Sequence, residues 1–323
     1  MIFSRITGTG HYAPERVLTN ADLEKMVDTS DEWIRSRSGI ERRHIAADDE
    51  TTADQAEPAC RRAMEAAGVG PEDIDFLIVG TTTPDLVFPN VGCILQDRLD
   101  IHGCAAMSVE TACSSFIYAL SIADKYIRAG EAKCALVVGA ETLSRIVDWT
   151  DRSTCVLFGD GAGAVVLQAD DSTGILSTHL RADGRYRDIL TSTGGVSQQN
   201  PPDNLRAGYN LVMAGNEVFK VAVKSMGRIA EEALRVNDIE QSELDWLIPH
   251  QANLRIIQAI AKRMELPMEK VIVTLQEYGN TSAASIPMAL DIAVRDGRVQ
   301  RDQLLMFVAF GGGLTWGSAL LRY

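Results

Sequence analysis

The sequence predicts an α/β protein whose sheets are covered by helices, and it predicts that the protein is built from two similar halves. Three observations lead there. Apolar strand-like stretches alternate with amphipathic helical stretches along all 323 residues. One supersecondary plan recurs 170 residues further on, from Asp75 to Asp245. A chain of this length with 46% hydrophobic and 23% charged residues can bury one large core or two fused ones.

The repeat begins with residues 59–83, ACRRAMEAAGVGPEDIDFLIVGTTT, answered by 229–253, IAEEALRVNDIEQSELDWLIPHQAN. Each gives an amphipathic helix, a polar turn, an aspartate, an apolar strand and a polar loop. ALVVGAET (135–142) is answered by LMFVAFGG (305–312), and each leads into a glycine-marked strand, FGDGAGAVVLQ (158–168) or LTWGSALLRY (314–323). The expected halves are 1–170 and 171–323, with a shared site where strand ends and loops converge. Between the repeats, TSTGGVSQQNPPDNLRAGYNLVMAGN (191–216) has little periodicity and reads as a long loop or lid.

The net charge of −13 disfavours nucleic acid as a partner. No apolar run is long enough to span a bilayer, and the start, MIFSRITGTG, lacks a signal-peptide pattern, so a cytoplasmic location is expected. The six cysteines form no C-x-x-C pair and only five histidines are present, which argues against a zinc site. Free thiols are expected, mostly as small buried hydrophobes; Cys134 in KCALVVGA reads as part of a strand.

Four motifs carry possible chemistry. In ETACSSFIYAL (110–120), Cys113 precedes a helix whose apolar face is Phe116, Leu120, Ala123 and Ile127, with Gly130 as its stop. A helix N-terminus favours the reactive thiolate, although a buried structural cysteine is an equal reading of the thiol alone. His250 follows the apolar strand WLIP and precedes the helix that starts at QANLRII. Strand ends are where α/β proteins place their chemistry, and a structural histidine is the alternative. Asn280, in YGNTSAAS, either turns the chain or donates a hydrogen bond to an oxyanion. In AFGGGLTWG (309–317), three glycines between two strands suggest close approach of backbone N–H groups to a ligand.

Together these motifs resemble the thiolase-like condensing enzymes, and most closely the β-ketoacyl-acyl carrier protein synthase III family, which initiates bacterial fatty acid synthesis. TSDEWIRSRSGI (29–40), DWTDRSTCVLFGDGAGAVVL (148–167), MAGNEVFKVAV (213–223) and PHQANLRII (249–257) extend the likeness along the chain. The resemblance implies a five-layer α/β/α/β/α fold, a homodimer and an acyltransferase without metal or redox cofactor. It implies that Cys113 is the acylated nucleophile, assisted by His250 and Asn280, with an oxyanion hole from the N–H groups of Cys113 and Gly312. Coenzyme A would be gripped by Thr29, Trp33, Arg37 and Arg152, and by Gly215, Asn216 and Ala252. Phe88, in DLVFPN, matches a residue that enters the acyl pocket of the other subunit. Leu143, Phe158 and Leu190 would line the pocket of this chain. Docking of an acidic acyl carrier protein would fall to Gln251, Ala252, Asn253, Leu254 and Arg255, with Lys262, Arg263 and Lys220.

The implied reaction is a Claisen condensation. An acyl-coenzyme A primer, with acetyl expected, acylates Cys113. Malonyl-acyl carrier protein then loses CO₂ and attacks, giving 3-oxoacyl-acyl carrier protein. Ser114 and Ser115 depart from the small residue and glycine that follow the nucleophile in many members. A condensing enzyme of quinolone, polyketide or long-chain ketone synthesis is the alternative, as is a non-catalytic acyl-binding relative. A papain-like hydrolase also uses Cys, His and Asn, but its local signature around the thiol is missing.

Overall fold

The computed structural model describes residues 2–197 and 209–323. Residues 198–208, within the loop expected over 191–216, lie outside the described residues. The first sheet contains β1 (Phe3–Tyr12), β2 (Phe76–Gly80), β3 (Ala105–Val109), β4 (Cys134–Glu141) and β5 (Gly161–Asp170), in the order β1-β5-β4-β2-β3. The second contains β6 (Ile175–Ala182), β7 (Trp246–Pro249), β8 (Leu304–Gly311) and β9 (Thr315–Arg322), in the order β7-β8-β9-β6. Thus β6-β9-β8-β7 repeats β1-β5-β4-β2. The directions repeat too: β2–β4 and β7–β8 are parallel, and the remaining contacts of the two series are antiparallel.

The duplicated aspartates do the same work in both sheets. Asp75 accepts from the N–H groups of Lys133 and Cys134 at 2.8 and 3.1 Å, and its own N–H donates to Cys134 O at 3.0 Å. Asp245 accepts from Leu304 N at 2.7 Å and donates to Leu304 O at 3.1 Å. Each aspartate ties the start of one strand to the start of its parallel neighbour.

The main helices are α1 (Asp31–Ser38), α2 (Thr52–Ala67), α3 (Val91–Arg98), α4 (Ser115–Ala129), α5 (Gly215–Val236), α6 (Leu254–Arg263) and α7 (Ser285–Arg295). Strand alternation sorts their packing. On β4, Ala135 and Val137 face a middle core with α4 and α7, while Leu136 and Val138 face an outer core with α2 and α3. On β8, Leu305, Phe307 and Ala309 face the same middle core; Met306, Val308 and Phe310 face α5 and α6. Three apolar cores separated by two sheets make five layers, as expected. Both central strands are buried on both faces, which explains their unbroken apolar runs.

Part of the expected loop is ordered backbone. Leu190–Ser192 pairs antiparallel with Leu211–Met213, and α5 is already helical at Gly215. Leu190, Leu211 and Met213 pack on the core, an apolar anchor that the polar composition of the segment concealed. Among the described residues no helix is long and apolar enough to cross a membrane.

Candidate active site

Cys113 lies in a tight turn, Ala112–Ser114, that opens α4. The turn is strained: Ala112 has φ 48°, a left-handed conformation that side chains rarely adopt. Three local bonds hold it. The Ser114 hydroxyl donates to Thr111 O at 2.8 Å, Ser115 Oγ accepts from Thr111 N at 2.8 Å, and Thr315 Oγ1 donates to Thr111 O at 2.9 Å. Ser114 and Ser115 are buried fasteners of this turn, which accounts for their presence after the cysteine. The turn between β8 and β9 presses on it: a Cβ at Gly311 would sit 2.7 Å from Cys113 N. The close approach expected of the three glycines is therefore first an approach to the nucleophile turn itself.

Burial pushes the Cys113 thiol up to about 12, and the Glu141 carboxylate adds to the effect; the Ser282 hydroxyl beside the sulfur opposes it. Desolvation thus works against the thiolate that a helix N-terminus would favour.

His250 ends β7, its N–H donating to Val308 O at 2.8 Å. Its ring is buried, which lowers its pKa to about 3 and keeps it neutral. Nδ1 lies 2.7 Å from Ser285 Oγ, and that oxygen also accepts from Gln251 N at 3.3 Å. Among the described residues that hydroxyl has no hydrogen-bond acceptor other than Nδ1, so we assign its hydrogen to Nδ1 and the ring proton to Nε2 as a donor. Asn280 is stitched to the strand-like segment 157–159, donating to Leu157 O at 2.9 Å and accepting from Gly159 N at 3.1 Å. Its side-chain oxygen accepts from Ser282 N at 2.9 Å, which leaves the NH₂ group for the cavity.

One cavity of about 620 Å³ brings Cys113, His250, Asn280 and Gly312 together. At its mouth Trp33 and Arg37 occupy one face of α1. The Arg152 guanidinium lies 4.8 Å over the Trp33 ring and donates to Asp28 O at 2.8 Å. Deeper in, the wall is apolar, with Leu143, Phe158 and Leu190. The arrangement offers a nucleophile, two neutral hydrogen-bond donors beyond it, an apolar end and a cationic entrance.

Comparison with known proteins identifies the family. Residues 107–184 match the family described as 3-oxoacyl-[acyl-carrier-protein] synthase III, and residues 234–323 match its C-terminal family. A β-ketoacyl-[acyl-carrier-protein] synthase III of Thioalkalivibrio sulfidiphilus is 64% identical over 323 residues, covering 100% of both chains. One from Xanthomonas euvesicatoria is 63% identical over 322 residues, covering 100% of this chain and 99% of the relative. The crystal structure of a 3-oxoacyl-[acyl-carrier-protein] synthase III from Aquifex aeolicus superposes with a TM-score of 0.93 at 49% identity, covering 99% of this chain and 100% of that one. The chain belongs to the β-ketoacyl-acyl carrier protein synthase III family. It is a condensing acyltransferase with the thiolase-like fold.

Within this synthase, the other expected site residues fall into three groups. Gly215, Asn216, Ala252, Asn253 and Arg255 line the cavity with the residues already described. Thr29 and Arg152 are not among the residues that line it: Arg152 reaches it only through its stacking on Trp33, and the Thr29 hydroxyl is buried without a partner among the described residues. Phe88 is 83% exposed on the loop between β2 and α3, beside the exposed Leu86 and Val87.

One docking expectation needs correction. Gln251 is buried; its NH₂ donates to Pro249 O at 2.7 Å and Ile272 O at 3.1 Å, and its oxygen accepts from Thr274 N. It braces the loop and cannot reach a partner. Arg263 is exposed and pairs with both oxygens of Glu231 at 2.7 and 3.0 Å, an exposed ion pair that leaves it at the surface. Leu254 packs against Gly39, whereas Arg255, Lys262 and Lys220 are exposed.

Sequence reasoning passed over Ser282, Ser285 and Glu141. Their signal was the repeat: Ser285 lies 170 residues after Ser115, and Ser282, at φ 49°, lies 170 after Ala112. The second half contains the same strained turn without the cysteine.

Proposed function

We propose that this synthase carries out its condensation on Cys113. The observation that supports this most directly is the convergence of Cys113, His250 and Asn280 on a single cavity with a cationic, tryptophan-flanked entrance. An acyl-coenzyme A, with acetyl as the primer, enters past Trp33, Arg37 and Arg152. Its thioester carbonyl is attacked by the Cys113 sulfur, the oxyanion is met by the N–H groups of Cys113 and Gly312, and coenzyme A leaves. Malonyl-acyl carrier protein follows. As CO₂ departs, His250 Nε2–H and the Asn280 NH₂ each donate to the thioester oxygen of the enolate. Each such donor contributes about 3 kcal/mol to the barrier reduction. The carbanion attacks acyl-Cys113 and 3-oxoacyl-acyl carrier protein is released. These groups supply every step, so the chemistry requires no metal or redox cofactor. This is the initiating step of type II fatty acid synthesis, placed in the cytoplasm.

A homodimer is part of the reading. Leu86, Val87 and Phe88 form an exposed apolar loop tip, and an apolar patch of this kind favours a protein interface. The repeating units 1–170 and 171–323 are supported by the matching strand orders and the matched aspartates. The test is direct: incubation with acetyl-coenzyme A should add one acetyl group to the Cys113 peptide. Malonyl-acyl carrier protein should then remove it as the 3-oxobutyryl product. Acetylation at another residue would overturn the assignment.

A further inference from the structure

Glu141 ends β4 with no exposed surface. It accepts hydrogen bonds from Thr82 N at 3.2 Å, Thr82 Oγ1 at 3.0 Å, Thr83 Oγ1 at 2.7 Å and Ser282 Oγ at 3.0 Å. Among the described residues none of its hydrogen-bond partners is a cation. A buried carboxylate without a counter-ion is costly, and the reaction as described gives it no role. Ser282 is the link to the chemistry. It sits at φ 49° in the turn Ser282–Ala284, which packs against the nucleophile turn, and Ser282 and Cys113 line the same cavity, close enough for the hydroxyl to act on the thiol's pKa.

We propose that the Glu141 carboxylate, reached through the Ser282 hydroxyl, takes the proton that Cys113 sheds when it is acylated. This rests on Cys113 being the nucleophile. The S–H bond breaks as sulfur adds to the thioester carbonyl. Ser282 Oγ receives that proton while its own passes to Glu141 Oε1. When the tetrahedral intermediate collapses, the proton returns by the same path to the departing coenzyme A thiolate. Acyl-coenzyme A and thiol become acyl-cysteine and coenzyme A, with Ser282 and Glu141 restored.

Two features support the relay. His250 is arranged as a donor, with Nδ1 taken by Ser285, so it offers the thiol no free base. Burial raises Glu141 to about 7, where a carboxylate is matched to accept and return a proton. The other titratable groups on surrounding elements are Glu110 on the nucleophile turn, Asp85 after β2, Asp160 before β5 and His250. Asp85 bonds Ala53 N, and Asp160 bonds Ala46 N and Ser144.

The experiment is single-turnover acetylation by acetyl-coenzyme A, followed by intact mass across the neutral pH range. Decarboxylation of malonyl-acyl carrier protein by the acetylated enzyme is measured alongside. The wild-type acetylation rate should rise with pH around about 7 as Glu141 ionises. Glu141→Gln should lose that rise and fall about 100-fold at neutral pH. Ser282→Ala should fall similarly, while keeping the backbone N–H that orients Asn280. Decarboxylation should stay within a few-fold in both. A carboxylate that acted only by repelling the thiolate would give the opposite sign, since Glu141→Gln would then acetylate faster. Faster or unchanged acetylation, or equal loss in both half-reactions, overturns the relay; if Glu141→Gln does not fold, Ser282→Ala decides. Wild-type acetylation away from Cys113 would instead overturn the nucleophile assignment, and the relay with it.

Discussion

At Cys113 the helix N-terminus draws toward a thiolate, while burial and the nearby Glu141 carboxylate favour the thiol. Cys113→Ser should abolish acylation and condensation, because a hydroxyl is a far weaker nucleophile. Turnover near the wild-type rate would remove Cys113 from the mechanism. His250→Ala and Asn280→Ala should slow malonyl decarboxylation by about 100-fold or more while sparing the first acyl transfer, as expected of donors aimed at the enolate oxygen. Rapid-quench acylation and CO₂ release, measured separately, distinguish the steps. His250 is already neutral, its pKa lowered from the usual histidine range to about 3. Decarboxylation should thus show no inflection from His250 between about pH 5 and 8; a titration near the ordinary histidine value would contradict the buried ring. The positions of Cys113 at a helix start, His250 at a strand end and Asn280 in a turn were legible from sequence, but each admitted a structural reading, and their roles came with the family resemblance. Ser285 and Ser282 were not legible, because a serine at a helix start looks like any other cap until the fold brings the imidazole or the thiol beside it.

The elements show where sequence periodicity suffices and where it fails. The helix after Cys113 ends in the left-handed Gly130, as the spacing indicated, and the strand before His250 spans Trp246–Pro249. The repeat was legible because Asp75 and Asp245 do the same hydrogen-bonding work in both sheets. The hairpin base at 190–192 and 211–213 was not, since three-residue strands leave too little pattern to read. The glycine run between β8 and β9 has a sharper meaning than sheet disruption. Gly311→Ala places a methyl 2.7 Å from Cys113 N and 2.9 Å from Thr111 O, both backbone atoms that cannot yield cheaply. Overpacking of this kind costs about 1–3 kcal/mol. Acylation should fall together with the thermal midpoint, and a variant with wild-type stability and rate would show that the two turns are not in contact.

For the whole molecule, the acidic surface makes each exposed cation near the entrance conspicuous. Arg255 lies 5.6 Å over the Phe219 ring at the rim, on the first turn of α6. Arg255→Glu should raise the KM for malonyl-acyl carrier protein several-fold and leave acylation by acyl-coenzyme A nearly unchanged. The defect should shrink with salt, because exposed charges are screened over about 10 Å at 0.1 M. Kinetics with each substrate varied at low and high salt decide; equal impairment toward both substrates would assign Arg255 to the pocket instead of docking. The middle core has a consequence at an earlier stage of the protein's life. Phe76, Ile78, Phe116, Val137 and Val165 pack against Ile286, Leu290, Leu305 and Phe307, which are synthesised much later. At about 5–20 residues per second, the ribosome leaves that apolar face unpaired for on the order of ten seconds. Residues 1–170 produced alone should accordingly aggregate or recruit holding chaperones, and should recover solubility when 171–323 is supplied during translation. A soluble, cooperatively melting 1–170 fragment would mean that the nascent first half can shield itself without its twin.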